Sequence, residues 1–250
     1  MTESANLYLR QILAIARKDI RVYYTKGPTL IFGLLFPFFF FLSFVVGREM
    51  EPTTLMPGLI AMVVFFSATA VGPVIFPIET RGNTLERLVS LPVPLWCILT
   101  GDSLASAAFC LISSTVPVTL AYLLIGLSLG QIALTVVGVI AGSVCFAFFG
   151  QLLSAPPVDQ TSTIMMLGTM VKFPLVFISG IFIPLVALPE MIRFVSLLSP
   201  LTYLADLFWG LLTGASVFHP LLNLAIIAGW TVLLIVASFL AHRRTLEKRL

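Results

Sequence analysis

Glu79-Thr80-Arg81-Gly82-Asn83-Thr84-Leu85-Glu86-Arg87-Leu88 is a charged island between two apolar runs, LMPGLIAMVVFFSATAVGPVIFP (55–77) and WCILTGDSLASAAFCLISSTVPVTLAYLLI (96–125). Each run exceeds the ~20 residues an α-helix needs to cross a bilayer. The rest of the chain follows suit: 59% of its 250 residues are apolar and 10% are charged, where a soluble domain carries about 25% charged residues. No soluble fold of this length hides so much apolar surface. The chain reads as an all-α polytopic membrane protein, with length for about six spans and none left for a separate soluble catalytic domain.

Working outward, residues 6–26 form an amphipathic helix. On a 100° wheel Leu9, Ile12, Leu13, Ala16, Ile20, Tyr23 and Tyr24 share one face, and Arg10, Gln11, Arg17, Lys18 and Arg21 the other. Ile15, Asp19 and Val22 fall between. A basic amphipathic helix beside a span lies along an anionic leaflet. Charges persist through Lys26 and the next apolar run is long enough to span, so the N-terminal residues do not read as a cleaved signal. Spans are expected at 28–47, 55–77, 96–125, 131–153, 162–183 and 220–241. Pro37 should kink the first, and Arg48-Glu49-Met50-Glu51-Pro52 is a polar loop after it. Ala155-Pro-Pro-Val-Asp159 is a short breaker. Residues 184–219 are too interrupted by proline and glycine for two full spans and too apolar for a watery loop. Re-entrant half-helices satisfy both constraints, because broken backbone at membrane depth is tolerated where protein covers it or a cavity lies beside it.

Positive charge sets the orientation. With the N-terminus inside, Arg10, Arg17, Lys18, Arg21, Lys26, Arg81, Arg87, Arg243, Arg244, Lys248 and Arg249 are cytoplasmic, against Arg48 and Arg193 outside. Both termini and the island at 79–91 are then cytoplasmic, in a cell (inner) membrane, which requires an even number of spans. Trp96, Tyr23 and Tyr24 suit an inner interfacial belt.

Few residues can carry chemistry. The histidines, His219 and His242, sit at the edges of the last span, and no His-Glu-x-x-His helix or phosphate-cradling Gly-x-x-x-x-Gly-Lys-Ser/Thr is present. Cys97, Cys110 and Cys145 are odd in number, lack metal spacing and read as small apolar packing residues. The chain has no visible means of hydrolysing ATP, so a nucleotide, if used, binds another subunit. The island is the better candidate. Glu79, Arg81, Glu86 and Arg87 surround Leu85, Leu88 and Val89 on a shared side, and Asn83 or Thr84 is placed to cap a short helix. Charges at the rim and leucines at the centre describe a docking knob; a solvated loop obeying the positive-inside rule has the same composition. Lys172, near the middle of the fifth span, is the costliest residue, at about 2.5–3.5 kcal/mol on insertion scales. It should face a cavity or a counter-charge, Asp206 or Asp102, or else snorkel to a polar surface. An ion-coupled secondary transporter or channel, using Lys172 and an intramembrane acid, is the alternative function to which this residue points.

Three segments carry a resemblance. Met56-Pro57-Gly58-Leu59 begins the second span. ETRGNTLERLVSLPV runs from Glu79 to Val93, and FISGIFIPLVALPEMIRFVSLLSPLTYLAD from Phe177 to Asp206. In order and spacing they resemble the permease subunits of ABC type-2 transporters. Members open that span with Pro-Gly, carry Gly-Thr-x-Glu-x-Leu before Pro-Val, and then read Ser-Gly-x-Phe-x-Pro, Leu-Pro and Asn-Pro-Leu-Thr-Tyr ahead of an Asp. The chain departs at Gly82-Asn83, where the family glycine directly precedes threonine. It also carries Asp102 where many members have lysine, Trp209 where many have arginine, and Ser199 in place of asparagine.

The resemblance implies an exporting permease working beside a second permease, identical or homologous, over two ATPase subunits that bind ATP and Mg. This chain itself would bind no cofactor and no metal, would not be an enzyme, and would contact membrane lipid rather than nucleic acid. Glu79, Arg81, Gly82, Thr84, Leu85, Glu86, Arg87 and Leu88 would couple to the ATPase through a coupling helix. Ser179, Gly180, Pro184, Pro189, Pro200 and Tyr203, with Lys172 and Asp206, would shape the translocation path and its outer gate.

Overall fold

A computed structural model describes residues 2–46, 51–158 and 160–246. The described residues are helical, with turns between helices and no strand. The expected loop at Arg48–Met50, Asp159 of the breaker, and Lys248 and Arg249 of the basic tail lie outside the described residues.

The chain begins with α1 (Thr2–Asp19), which passes into a π-helical turn at Ile20–Tyr24. Helical backbone resumes in α2 (Gly27–Leu30), widens into a second π-helical turn at Ile31–Leu35, and continues as α3 (Phe36–Val45). The irregularity expected at Pro37 therefore appears as a π turn just before it. Proline has no N–H, and its ring crowds the carbonyl four residues back; a wider turn relieves both. The apolar part of this segment, Ile31–Ser43, is shorter than the other candidate spans.

Next come α4 (Pro52–Ala68) and α5 (Gly72–Arg81), separated by a break at Thr69–Val71, then α6 (Thr84–Ser90), α7 (Leu95–Ile125) and α8 (Leu129–Leu152). The uncharged turn before α8 is closed by a capping box: the Ser128 side chain accepts from Gln131 N, and Gln131 Oε1 accepts from Ser128 N at 2.9 Å. α9 (Thr161–Ile178) stops short of the expected 183 because Gly180 turns the chain with φ +75°. A 3-10 turn (Leu185–Ala187), α10 (Glu190–Ser196), α11 (Pro200–Thr213) and α12 (Pro220–Leu246) complete the fold.

Among the described residues, five helical segments are long and apolar enough to cross a membrane: Thr54–Arg81, Leu95–Ile125, Leu129–Leu152, Thr161–Ile178 and Pro220–Leu246. The pair α10 and α11, bent by 112°, would make a sixth if taken as one broken span. The chain is a multi-pass membrane protein. Its core is built on α4, which is apolar all round and packs on α3, α7, α8 and α11; Ile60 through Phe65 have almost no exposed surface. Gly58 is required there, because a Cβ at that position would collide with the Ile181 carbonyl. α9 and α12 instead leave large apolar side chains such as Met166, Met170, Val232 and Leu233 exposed, as lipid- or subunit-facing helices do.

Candidate functional site

The charged island divides between two helices. Glu79, Thr80 and Arg81 form the last turn of α5, Gly82 and Asn83 make the corner, and α6 begins at Thr84. Gly82 has an ordinary φ of −84°, whereas Asn83 takes the left-handed conformation with φ 54°. Asn83 thus holds the conformation for which glycine is suited, at the position directly before threonine where the family pattern has it. Neither Asn83 nor Thr84 caps α6 as expected; the Thr84 hydroxyl donates back to the Glu79 carbonyl at 3.2 Å.

The faces of α6 also correct the knob picture. Leu85 is buried with Ile15, Phe76, Ile98 and Leu99, and Leu88 and Val89 pack on the same cluster with Phe239 and Leu246. The apolar side of α6 is occupied by α1, α5, α7 and α12. Arg81, Gly82, Thr84, Glu86 and Arg87 are exposed. Any outside partner meets a polar face, with the leucines holding it from behind.

Glu79 does not join that face. It is 3% exposed and forms an ion pair with Lys18 of α1. Lys18 Nζ also lies 3.0 Å from Asp19 Oδ1, and the Tyr23 hydroxyl donates to Glu79 Oε1 at 3.4 Å. Asp102 of α7 is buried nearby, accepting from Gln151 Nε2 at 3.4 Å, while the Ser103 hydroxyl donates to Gln151 Oε1 at 2.8 Å. Two carboxylates, from α1 and α5, pair with one ammonium, and the Asp102 carboxyl of α7 lies near enough to feel its charge. Burial acts to lower the Lys18 pKa, but Asp19 and Glu79 outweigh it and hold the ammonium above its ordinary value. Burial, reinforced by Glu79, pushes the Tyr23 hydroxyl up. Lys18 and Tyr23 thus leave the solvent and leaflet faces given them by the wheel. So does Tyr24, whose hydroxyl lies 2.5 Å from Ser106 Oγ and whose ring rests on Phe109. Ile15, Ala16 and Tyr24 pack inward, whereas Leu9, Leu13 and Ile20 stay exposed.

In the segment between α9 and α12, the expected gate residues sit at bends. The Ser179 hydroxyl donates to the Leu175 carbonyl and lies 3.0 Å from Ser199 Oγ. The Gly180 carbonyl accepts from Trp209 Nε1 at 2.9 Å. Pro184, Pro189 and Pro200 start the 3-10 turn, α10 and α11 respectively. The Tyr203 hydroxyl donates across the α10–α11 bend to the Leu197 carbonyl at 2.9 Å. Asp206 is buried and accepts from Val217 N at 2.9 Å, Phe218 N at 3.1 Å and Asn223 Nδ2 at 2.9 Å. It fastens the α11–α12 connection and is no counter-charge for Lys172.

Lys172 lies elsewhere. Its Nζ donates to the Thr69 carbonyl at 2.6 Å, at the break between α4 and α5 where that carbonyl is free of a regular helical partner. It lines a cavity of about 410 Å³ among the first apolar helix, the α4–α5 break and α9. Asp102 is bonded to Gln151, and among the described residues no ion pair involves Lys172. The ion-coupled alternative loses its intramembrane acid.

Two contributors escaped sequence reasoning. Arg193, placed outside as a bare charge, donates from its guanidinium to the Leu185, Val186 and Leu188 carbonyls at 3.1, 2.8 and 3.1 Å. His242, at the end of α12, is buried against the Phe76 ring and hydrogen bonds with Ser154 and the Ser238 carbonyl. A histidine within an otherwise Arg-rich tail was the available hint. A family model described as ABC-2 type transporter matches residues 9–213, well over half of the chain. No curated protein matches it.

Proposed function

This chain belongs to the ABC-2 type transporter family, and on that premise we propose that it is the permease of an ATP-driven exporter that an ATPase subunit engages through α6. A permease of this family works with an ABC ATPase and is not the ATPase itself. In our reading two ATPase subunits carry the ATP and Mg, and a second permease, identical or homologous, completes the pathway in the cell membrane. Both termini and α6 face the cytoplasm, and the bent pair α10–α11 is re-entrant from the outer side.

The observation that carries this reading is the division of α6 into a buried apolar side and an exposed polar side. Arg87 and Glu86 point away from the chain, while Leu85 anchors the helix to α1, α5 and α7. A solvated loop has no reason to be anchored in this way. Arg81, Gly82 and Thr84 extend the exposed side, and Glu79 with Leu88 fixes its position. Strain or force at α6 reaches α1 through Lys18 and Glu79.

The test is reconstitution with the co-encoded ATPase and measurement of ATP hydrolysis with and without the permease. Arg87→Glu should weaken stimulation, since it puts like charge against whatever acid Arg87 meets. An Arg87→Glu/Glu86→Arg reversal that stimulates like the parent would overturn docking through α6.

A further inference from the structure

The cavity around Lys172 has a composition that selects for charge. Its volume of about 410 Å³ falls within the roughly 300–1,000 Å³ of small-molecule sites. Phe36, Phe66 and Phe173 form one wall, with ring centroids 5.3 Å apart for Phe36–Phe66 and 6.2 Å for each of the other two pairs. Met165 and Met166 form another, and thioether side chains adapt to irregular shapes. Lys172 is the single ionisable group in the lining. Its ammonium has three donors, of which the Thr69 carbonyl takes one. The lining hydroxyl, Thr169 Oγ1, is spent on the Met165 carbonyl at 2.8 Å. A carbonyl orients an ammonium and leaves its charge uncompensated. An anion joining the amine there stabilises its charged form.

We propose that this cavity is a binding site for an anionic amphiphile, a molecule carrying one carboxylate- or phosphate-type head on an apolar body. The head takes the two remaining Lys172 donors, and the body lies against the phenylalanine and methionine walls. A cationic amphiphile of the same body meets like charge, and a neutral one leaves Lys172 unpaired. Because the walls adapt and the charge does not, the site discriminates by the sign of the head far more than by the shape of the tail. Met166 and Phe32 are both lining and exposed, so the mouth opens sideways between α9 and the first apolar helix. An amphiphile reaches it without crossing the core. The site does not depend on what α6 contacts.

Native mass spectrometry of the full chain, released from a non-ionic detergent, tests this with dodecyl phosphate as the probe and dodecyltrimethylammonium as the opposite-charge control. The parent should retain dodecyl phosphate and not the cation. Lys172→Met should need at least about tenfold more probe for the same occupancy, equivalent to 1.4 kcal/mol, and Lys172→Arg should keep the parent's occupancy. Lys172 is partly buried and Lys172→Met also removes the donor to the Thr69 carbonyl, so Lys172→Arg, which keeps charge and donors, is read beside it to separate binding from stability. A co-purified phospholipid lost only in Lys172→Met supports the site and names the bilayer as the source. Dodecyl phosphate without such a lipid supports it and names a free amphiphile. Equal retention by parent and Met variant, equal retention of the cation, or no adduct on the parent overturns the proposal. Arg87→Glu should leave these adducts unchanged, so failure here is distinct from failure of α6 docking.

Discussion

Lys18→Met removes the ammonium that pairs with Asp19 and Glu79. Breaking one side of a fully buried ion pair costs about 3–5 kcal/mol, because the other charge is left stranded. The Lys18 side chain is 35% exposed while Glu79 is 3% exposed, so water already screens part of the interaction. That lowers the expected loss to roughly 1–2 kcal/mol. For a chain of this length 1 kcal/mol moves the melting temperature by about 2–4 °C, so the variant should melt roughly 2–8 °C lower. Cys97, Cys110 and Cys145 are free and buried, so a thiol-reactive dye that fluoresces on labelling reports unfolding directly. Lys18→Met/Glu79→Leu should recover part of the loss, since Glu79 is no longer stranded while buried Asp19 still is. The raised Lys18 pKa fixes the sign of the pH dependence. Its contribution is complete below the ordinary lysine value of 10.5 and is lost only as pH rises through the still higher folded value. The gap between parent and variant should therefore stay constant from about pH 7 to pH 9. An unchanged melting temperature in Lys18→Met, or single and double variants that simply add, would refute the tie between α1 and α5.

Two further substitutions probe backbone geometry by the same dye assay. Asn83→Val forces a β-branched residue into the left-handed region and should cost roughly 1–2 kcal/mol, while Asn83→Gly should match or slightly exceed the parent; equal stability of the two variants would contradict the corner conformation. Gly58→Ala places a Cβ against the Ile181 carbonyl and should cost about 1–3 kcal/mol through backbone displacement, so a neutral result would mean that α4 and the 181 loop are not in close contact.

The membrane class and most helices were legible because long apolar runs bounded by proline and charge admit few other readings. The wheel for the amphipathic helix at 6–26 fails at a definite point. Ile15 and Asp19 face inward at α-helical spacing, and the next buried residue is Tyr24, five positions on, because the backbone has become π-helical. A constant 100° step cannot anticipate that. Leu85 was recognised as part of an amphipathic helix, but periodicity gives a face and not its partner; α1, α5 and α7 claimed it from inside. Asp102 stood out as an acid where lysine is common, and the structure sets it beside the Lys18–Glu79 pair, 84 positions from Lys18, a neighbourhood that no local pattern encodes. Lys172, expected to face a cavity or a counter-charge or to snorkel, lines a cavity, while Asp206, its nearest candidate counter-charge in sequence, is committed to three donors at the α11–α12 turn.

The burial of Leu85 with Ile15, Phe76, Ile98 and Leu99, and with Leu246 from the far end of the chain, has a mechanical meaning. α6 has no slack. A short lever with its own hinge could tilt and leave the remainder at rest, but a helix clamped at its centre transmits load to everything it is clamped to. In the proposed docking, a push on Arg87 would be shared by α5 and, through the Leu85 cluster, by α1, α7 and α12, so the stroke would be set by how far that block can shift as one piece and not by the reach of a seven-residue arm.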